Sequence, residues 1–157
     1  MANFEFLSEN LNNVLLELMD SQELCKLLQY PSYDPLSEPD IEDTSELLFN
    51  KIHPYPRVPD VIATATSNLN VIFDSFTLGD VNNIKEGLLK FTILVHNDLW
   101  RTNGALRPFL IMSKIDNIFN EKRIVGLKKL KFERANFIWA NENFSGYQVS
   151  YKMVNAN

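Results

Sequence analysis

Gly87-Leu88-Leu89-Lys90-Phe91-Thr92-Ile93-Leu94-Val95-His96-Asn97 is the strongest strand signal in the chain. β-branched and aromatic residues crowd it, and Asn97-Asp98 closes it. Upstream, Asn68 to Leu78 carries Leu69, Val71, Phe73 and Phe76 near period two, a second strand. Gly79-Asp80-Val81-Asn82-Asn83 between them is turn chemistry. Downstream, Asn97 to Gly104 reads as a loop into a helix. That helix shows Leu106, Phe109, Leu110, Ile115, Ile118 and Phe119 on its apolar face, and Pro108 fits only in its first turn. Lys128 to Trp139 predicts a strand with Leu130 and Phe132 alternating against Lys129 and Lys131. Asn141-Glu142-Asn143-Phe144-Ser145-Gly146 predicts a hairpin loop. Tyr147, Val149, Tyr151 and Met153 then alternate with Gln148, Ser150 and Lys152 in a last strand.

The first third differs. Leu7, Leu11, Val14, Leu15, Leu18 and Met19 recur at helical spacing. Asp20-Ser21-Gln22-Glu23 resembles a capping box with Asp20 as the cap, so the helix breaks or restarts there. Leu24, Leu27 and Leu28 continue an apolar face until Pro31 ends it. Six of the seven prolines fall between Pro31 and Pro59. Asp34, Glu38, Asp40, Glu42, Asp43 and Glu46 lie there without an intervening Lys or Arg. Thr44 or Asp43 can cap a short helical turn at Ser45–Phe49. Leu36, Ile41, Leu47, Leu48, Phe49 and Ile52 give this stretch something to bury. It reads as an ordered acidic arm, with a flexible linker as the alternative. The expectation is α+β: an antiparallel sheet of about four or more strands, covered by helices on one face. Residues 1–60 form an N-terminal helix and acidic arm, packed on a body at residues 61–157 of the same domain.

Composition narrows function mainly by exclusion. The chain has 157 residues, 45% hydrophobic and 22% charged. Such a length buries roughly 70% of the unfolded surface without staples. Its one cysteine, Cys25, sits in an apolar helical context and reads as a buried structural thiol rather than a nucleophile. Neither His53 nor His96 has a second ligand at metal spacing, so no metal and no cofactor is expected. His96 beside Asp98 reads as a hydrogen-bonded strand end, with an acid–base pair as the alternative. The five glycines are too scattered for a phosphate loop or nucleophile elbow. No signal-peptide pattern opens the sequence, and no span of ~20 apolar residues crosses a membrane.

Charge is split by position. Residues 1–60 hold twelve Asp or Glu against three Lys or Arg, a net −9. Residues 61–157 hold eight against twelve, a net +4. Lys122, Arg123, Lys128, Lys129, Lys131 and Arg134 concentrate the positive charge. One reading is two solvated faces. A sharper one is head-to-tail association, with Asp40, Glu42 and Asp43 of one subunit meeting Lys128, Lys129 and Lys131 of the next. A third is nucleic-acid binding with Phe132 and Phe137 for stacking, but no binding motif is present. Trp100 beside Arg101 either folds back on the sheet or anchors an interface.

From about Val61 to Val154 the chain resembles small neck proteins of tailed bacteriophages, above all the tail-terminator and tail-completion group. The likeness lies in the strand Phe91–Val95 before a polar loop and in the helix with Ile111, Ile115, Asp116 and Ile118. It continues through Arg123–Leu127, the strand at Leu130-Lys131-Phe132 and the hairpin into Phe144–Tyr151. The acidic first 60 residues depart from that group. The resemblance implies a non-enzymatic virion protein at the head–tail junction, made in the host cytoplasm. Its implied partners are itself in a ring, commonly six-fold, the tail tube protein and the head connector or stopper, with DNA only passing through the lumen. Another neck component and a small phage-encoded binding or regulatory module remain the alternatives. A small hydrolase using His96 and Asp98, or Glu133 beside Arg134, is the enzyme alternative.

Overall fold

A computed structural model describes residues 4–79, 84–124 and 127–154. Its elements run α1 (Glu5–Met19), α2 (Gln22–Gln29), β1 (Ile52–His53), β2 (Ser67–Leu78), β3 (Ile84–His96), α3 (Arg107–Phe119), β4 (Lys129–Trp139) and β5 (Phe144–Val154). The five strands form one open sheet in the order β1-β2-β3-β5-β4. The α+β class and the antiparallel sheet with helices on one face are as the sequence predicts. One strand is added: β1 pairs in parallel with β2 through Ile52–Leu69 and His53–Asn70. Asp80–Asn83 of the expected turn and Val125–Gly126 of the Arg123–Leu127 stretch lie outside the described residues.

One face of the sheet presents Leu69, Val71, Phe91, Ile93, Val149, Tyr151 and Met153. The buried sides of α1, α2 and α3 close over it, with Val14, Leu18, Leu24, Leu27, Ile111, Ile115 and Phe119 in the same core. At 25 cal/mol per Å² each fully buried aliphatic side chain here contributes about 2 kcal/mol. The helical break is real, but its cap is Ser21 rather than Asp20. The Ser21 hydroxyl accepts from the Leu24 N–H at 3.3 Å, while the Asp20 N–H ends α1 on the Leu16 carbonyl. Glu23 does not reach back; it pairs with Lys114 of α3.

Three other expectations shift. The face α3 buries is Arg107, Pro108, Ile111, Ile115 and Phe119, so Phe109 and Leu106 turn outward. The β4–β5 loop is shorter than expected, because Phe144, Ser145 and Gly146 already belong to β5. Asn141 makes the turn by accepting from the N–H groups of Asn143 and Phe144, both at 3.0 Å. Gly146 therefore serves a strand: a Cβ there would stand 1.8 Å from the Ile93 carbonyl oxygen. On β4, Leu130 is buried as expected, but Phe132 is exposed, next to a register shift that leaves Glu133 unpaired.

Candidate assembly interface

The acidic arm is tied down by polar side chains. Gln22 brackets Ile41, donating to its carbonyl at 2.8 Å and accepting from its N–H at 2.9 Å. Thr44 donates to the Met19 carbonyl at 2.7 Å, and Tyr30 to the Pro39 carbonyl at 2.8 Å. Asp43 caps a 3-10 turn at Thr44–Leu47, accepting from the Ser45 N–H at 3.1 Å. Leu47 of that turn joins the core. Asp40 pairs with Lys26 at 2.8 Å, and Glu42 is exposed. The arm ends in β1, but these bonds hold its acidic stretch on α1 and α2.

Of the basic residues, Lys129, Lys131 and Arg134 belong to β4, the last strand of the sheet, whereas Lys122 and Arg123 line a groove with Glu17, Asp20 and Ser21. Lys129 pairs with Glu121 at 3.0 Å, and this contact holds the Glu121 carboxyl below its ordinary range. Lys128 donates to the Lys85 carbonyl at 3.1 Å, and Lys131 is exposed opposite Lys152 of β5. Strand alternation puts Lys129 and Lys131 on one face of β4, and Leu130 and Phe132 on the other. Past the bulge, Phe137 faces the same way as Phe132. The stacking rings and the cations thus point to opposite sides, which removes the interleaving a nucleic-acid groove needs. The acidic stretch is thus held on α1 and α2, while Lys129 and Lys131 lie on β4, the last strand of the sheet.

Trp100 and Arg101 follow β3. Trp100 folds back, its indole donating to the Val95 carbonyl at 3.2 Å and its ring 6.5 Å from Tyr147. Arg101 is exposed. His96 caps the following turn: Nδ1 accepts from the Asp98 N–H at 3.1 Å, which occupies the lone pair a general base would use. Glu133 and Arg134 sit exposed at the β4 bulge, where Glu133 lines an open groove of about 310 Å³ with Glu86 and Lys152.

Several consequential groups carry no signal in the sequence. Arg107 is fully buried and meets no carboxylate. Its guanidinium donates to the carbonyls of Leu99 at 2.8 Å, Leu27 at 2.7 Å, Tyr30 at 3.0 Å and Ser32 at 2.8 Å. Leu27 and Tyr30 end α2, so the cation sits at that helix's negative pole. Burial lowers its proton affinity. His53 is fully buried beside Asn70, and neither ring nitrogen has a partner at hydrogen-bonding geometry. Burial, then the Arg57 charge, lowers its pKa from 6.5. Cys25 is buried as the sequence predicts, and burial pushes its thiol up to about 11. Tyr151 donates to Asp116 at 2.9 Å at the base of an open groove of about 340 Å³ between α3 and β4. Burial, more than the Asp116 contact, raises the Tyr151 phenol well above its ordinary range. Among the described residues no cluster of His, Cys, Asp or Glu can hold a metal, and no helix is long and apolar enough to cross a membrane.

Comparison with known proteins then adds a family. The YomW family model matches residues 21–153, which takes in the arm and the whole sheet. The chain belongs to the YomW family. That family is named after a protein of a Bacillus phage region, and this YomW protein is phage-associated. The matched span covers the positions of Ser21, Arg107 and the arm. No curated protein and no solved structure matches the chain.

Proposed function

We propose that this YomW-family protein is a structural subunit of the phage particle at the head–tail junction. In this reading it is a tail terminator whose ring, commonly six-fold in such proteins, caps the tail tube and joins it to the head connector or stopper. The subunit works by binding and not by catalysis. The observation that carries the reading is the placement of its charge. The acidic arm lies on α1 and α2, and the basic strand β4 ends the sheet. Asp40 and Lys129 are paired within the subunit, but the exposed Glu42 of the arm can meet the exposed Lys131 of a neighbour, and a repeated heterologous contact closes into a ring when the rotation allows. Phage association of the family supports the same reading.

The test is association with purified phage tails and connectors, followed by sedimentation at low and high salt. The expected result is rings on tails, weakened by salt, because exposed charges are screened beyond ~10 Å at 0.1 M ionic strength. Pairs of this kind contribute only ~0–1 kcal/mol each, so they set register more than affinity. A protein that binds neither tails nor connectors at any salt overturns the reading.

A further inference from the structure

An open sheet has two edges, and this one treats them differently. Among the described residues β2 has no strand neighbour on its outer side beyond Asn70, but its register shifts between Phe73 and Phe76, and Asp74 is exposed there. A bulge and an edge charge are the usual means of blocking strand addition. On β4 the first half is also closed. The Leu130 N–H donates to the Lys122 carbonyl at 2.9 Å, and its carbonyl accepts from Glu121 at 2.8 Å. The Phe132 N–H donates to the Asn120 side chain at 2.9 Å.

The second half is open. The outward backbone groups of Leu130 and Phe132 fix the phase. Strand alternation carried past the bulge turns those of Ala135, Phe137 and Trp139 outward too. Among the described residues, these three make no backbone bond outside the sheet. Their side chains lie on the helix-bearing face; Ala135 packs against the core, but the two rings stand clear of it: Phe137 is 56% and Trp139 72% exposed. Phe109 and Tyr147 extend the same aromatic surface, with Tyr147 5.3 Å from Phe109 and 5.8 Å from Phe137.

We propose that this edge is covered by the same edge of a second copy, β4 running antiparallel to β4 about a two-fold axis at Phe137. The charge pattern selects this occupant. From Ala135 to Asn141 the chain carries no charge, so self-pairing meets no like-charge contact. In this register Ala135 lies opposite the partner's Trp139, and Phe137 opposite its own copy. Arg134 of each chain lies towards the partner's β4–β5 turn, which carries the exposed Glu142. The outcome is one continuous sheet with the aromatic residues at its centre. The contact does not rest on the ring reading. Both use the β4 side, so the two-fold pair is the form of the free subunit and gives way on assembly.

A cysteine exchange tests it. Cys25 is buried, so it gives no background. Directly opposed residues of a hydrogen-bonded antiparallel pair stand roughly 5.5 Å apart at Cα, a spacing a disulfide spans. Phe137→Cys should give a disulfide-linked species of twice the mass under mild oxidation, whereas Lys131→Cys, equally exposed but far from the axis, should not. Phe137→Pro removes an outward N–H and a largely exposed ring, so it should keep the monomer fold by circular dichroism and halve the mass in sedimentation. A wild-type protein that stays monomeric at tens of micromolar overturns the proposal, as does equal cross-linking of both cysteine variants. A monomer that still binds tails overturns the pair and leaves the ring reading standing; a two-fold dimer that binds no tails does the reverse.

Discussion

The Arg107 guanidinium donates to the carbonyl of Leu27, a residue eighty positions earlier, at 2.7 Å. Through this bond and those to Tyr30 and Ser32, the first turn of α3 holds the end of α2 and the root of the acidic arm. Lysine cannot replace it, because a point charge cannot reach four carbonyls at fixed angles. Arg107→Lys should cost about 3 kcal/mol in urea denaturation, since it leaves buried carbonyls unpaired. Arg107→Met should cost at least as much. Wild-type stability in both variants would refute the role.

Gly146→Ala is expected to be among the most damaging exchanges in the sheet. The added Cβ would stand 1.8 Å from the backbone oxygen of Ile93, and a strand interior cannot move aside. Overpacking of this kind costs about 3 kcal/mol. Gly104 is the control: its φ of 87° strains any other residue, but nothing lies near its missing Cβ. Gly104→Ala should cost only about 1 kcal/mol. Melting curves for the two variants decide the order.

His53 makes stability depend on acidity. Its pKa is lowered from 6.5 in the fold, so the unfolded chain binds the proton more readily. Stability is then fully present above pH 6.5 and declines as pH falls below that value, levelling only under the folded pKa. His53→Gln should flatten this part of the stability-against-pH curve. An unchanged slope in the variant would place the proton uptake elsewhere.

Cys25 should not react with a thiol reagent in the folded protein at neutral pH. The thiol is buried, is pushed up to about 11, and lies 3.7 Å from the Leu18 carbonyl. Labelling should appear only as the chain unfolds in denaturant. Rapid labelling without denaturant would show that the α1–α2 junction opens on its own.

The sheet was legible because its strands are long and their apolar residues alternate, as in Tyr147-Gln148-Val149-Ser150-Tyr151. The order β3-β5-β4 was not, since nothing local tells β5 to enter between earlier strands. β1 escaped notice because two residues give no period. Gly146 was misplaced because a glycine beside asparagines reads as turn chemistry, whereas the fold uses it for a close backbone approach. The charged clusters were legible as composition, but the seating of the acids on α1 and α2 and of Lys129 and Lys131 on the last strand is a property of topology. Arg107 could not be singled out, because its partners are main-chain carbonyls, which every residue carries.

The placement of β5 between β3 and β4 has a consequence for synthesis. β4 precedes β5 in the chain, yet its strand neighbour in the sheet is β5. While β5 is still being made, β4 and its aromatic residues have no strand to join, and β3 shows a bare edge from Gly87 to His96. The nascent chain therefore passes through a stage open to misassociation, and folding awaits a late, non-local pairing. A message cut short before Phe144 would yield half a sheet, a product for proteases rather than a smaller working subunit.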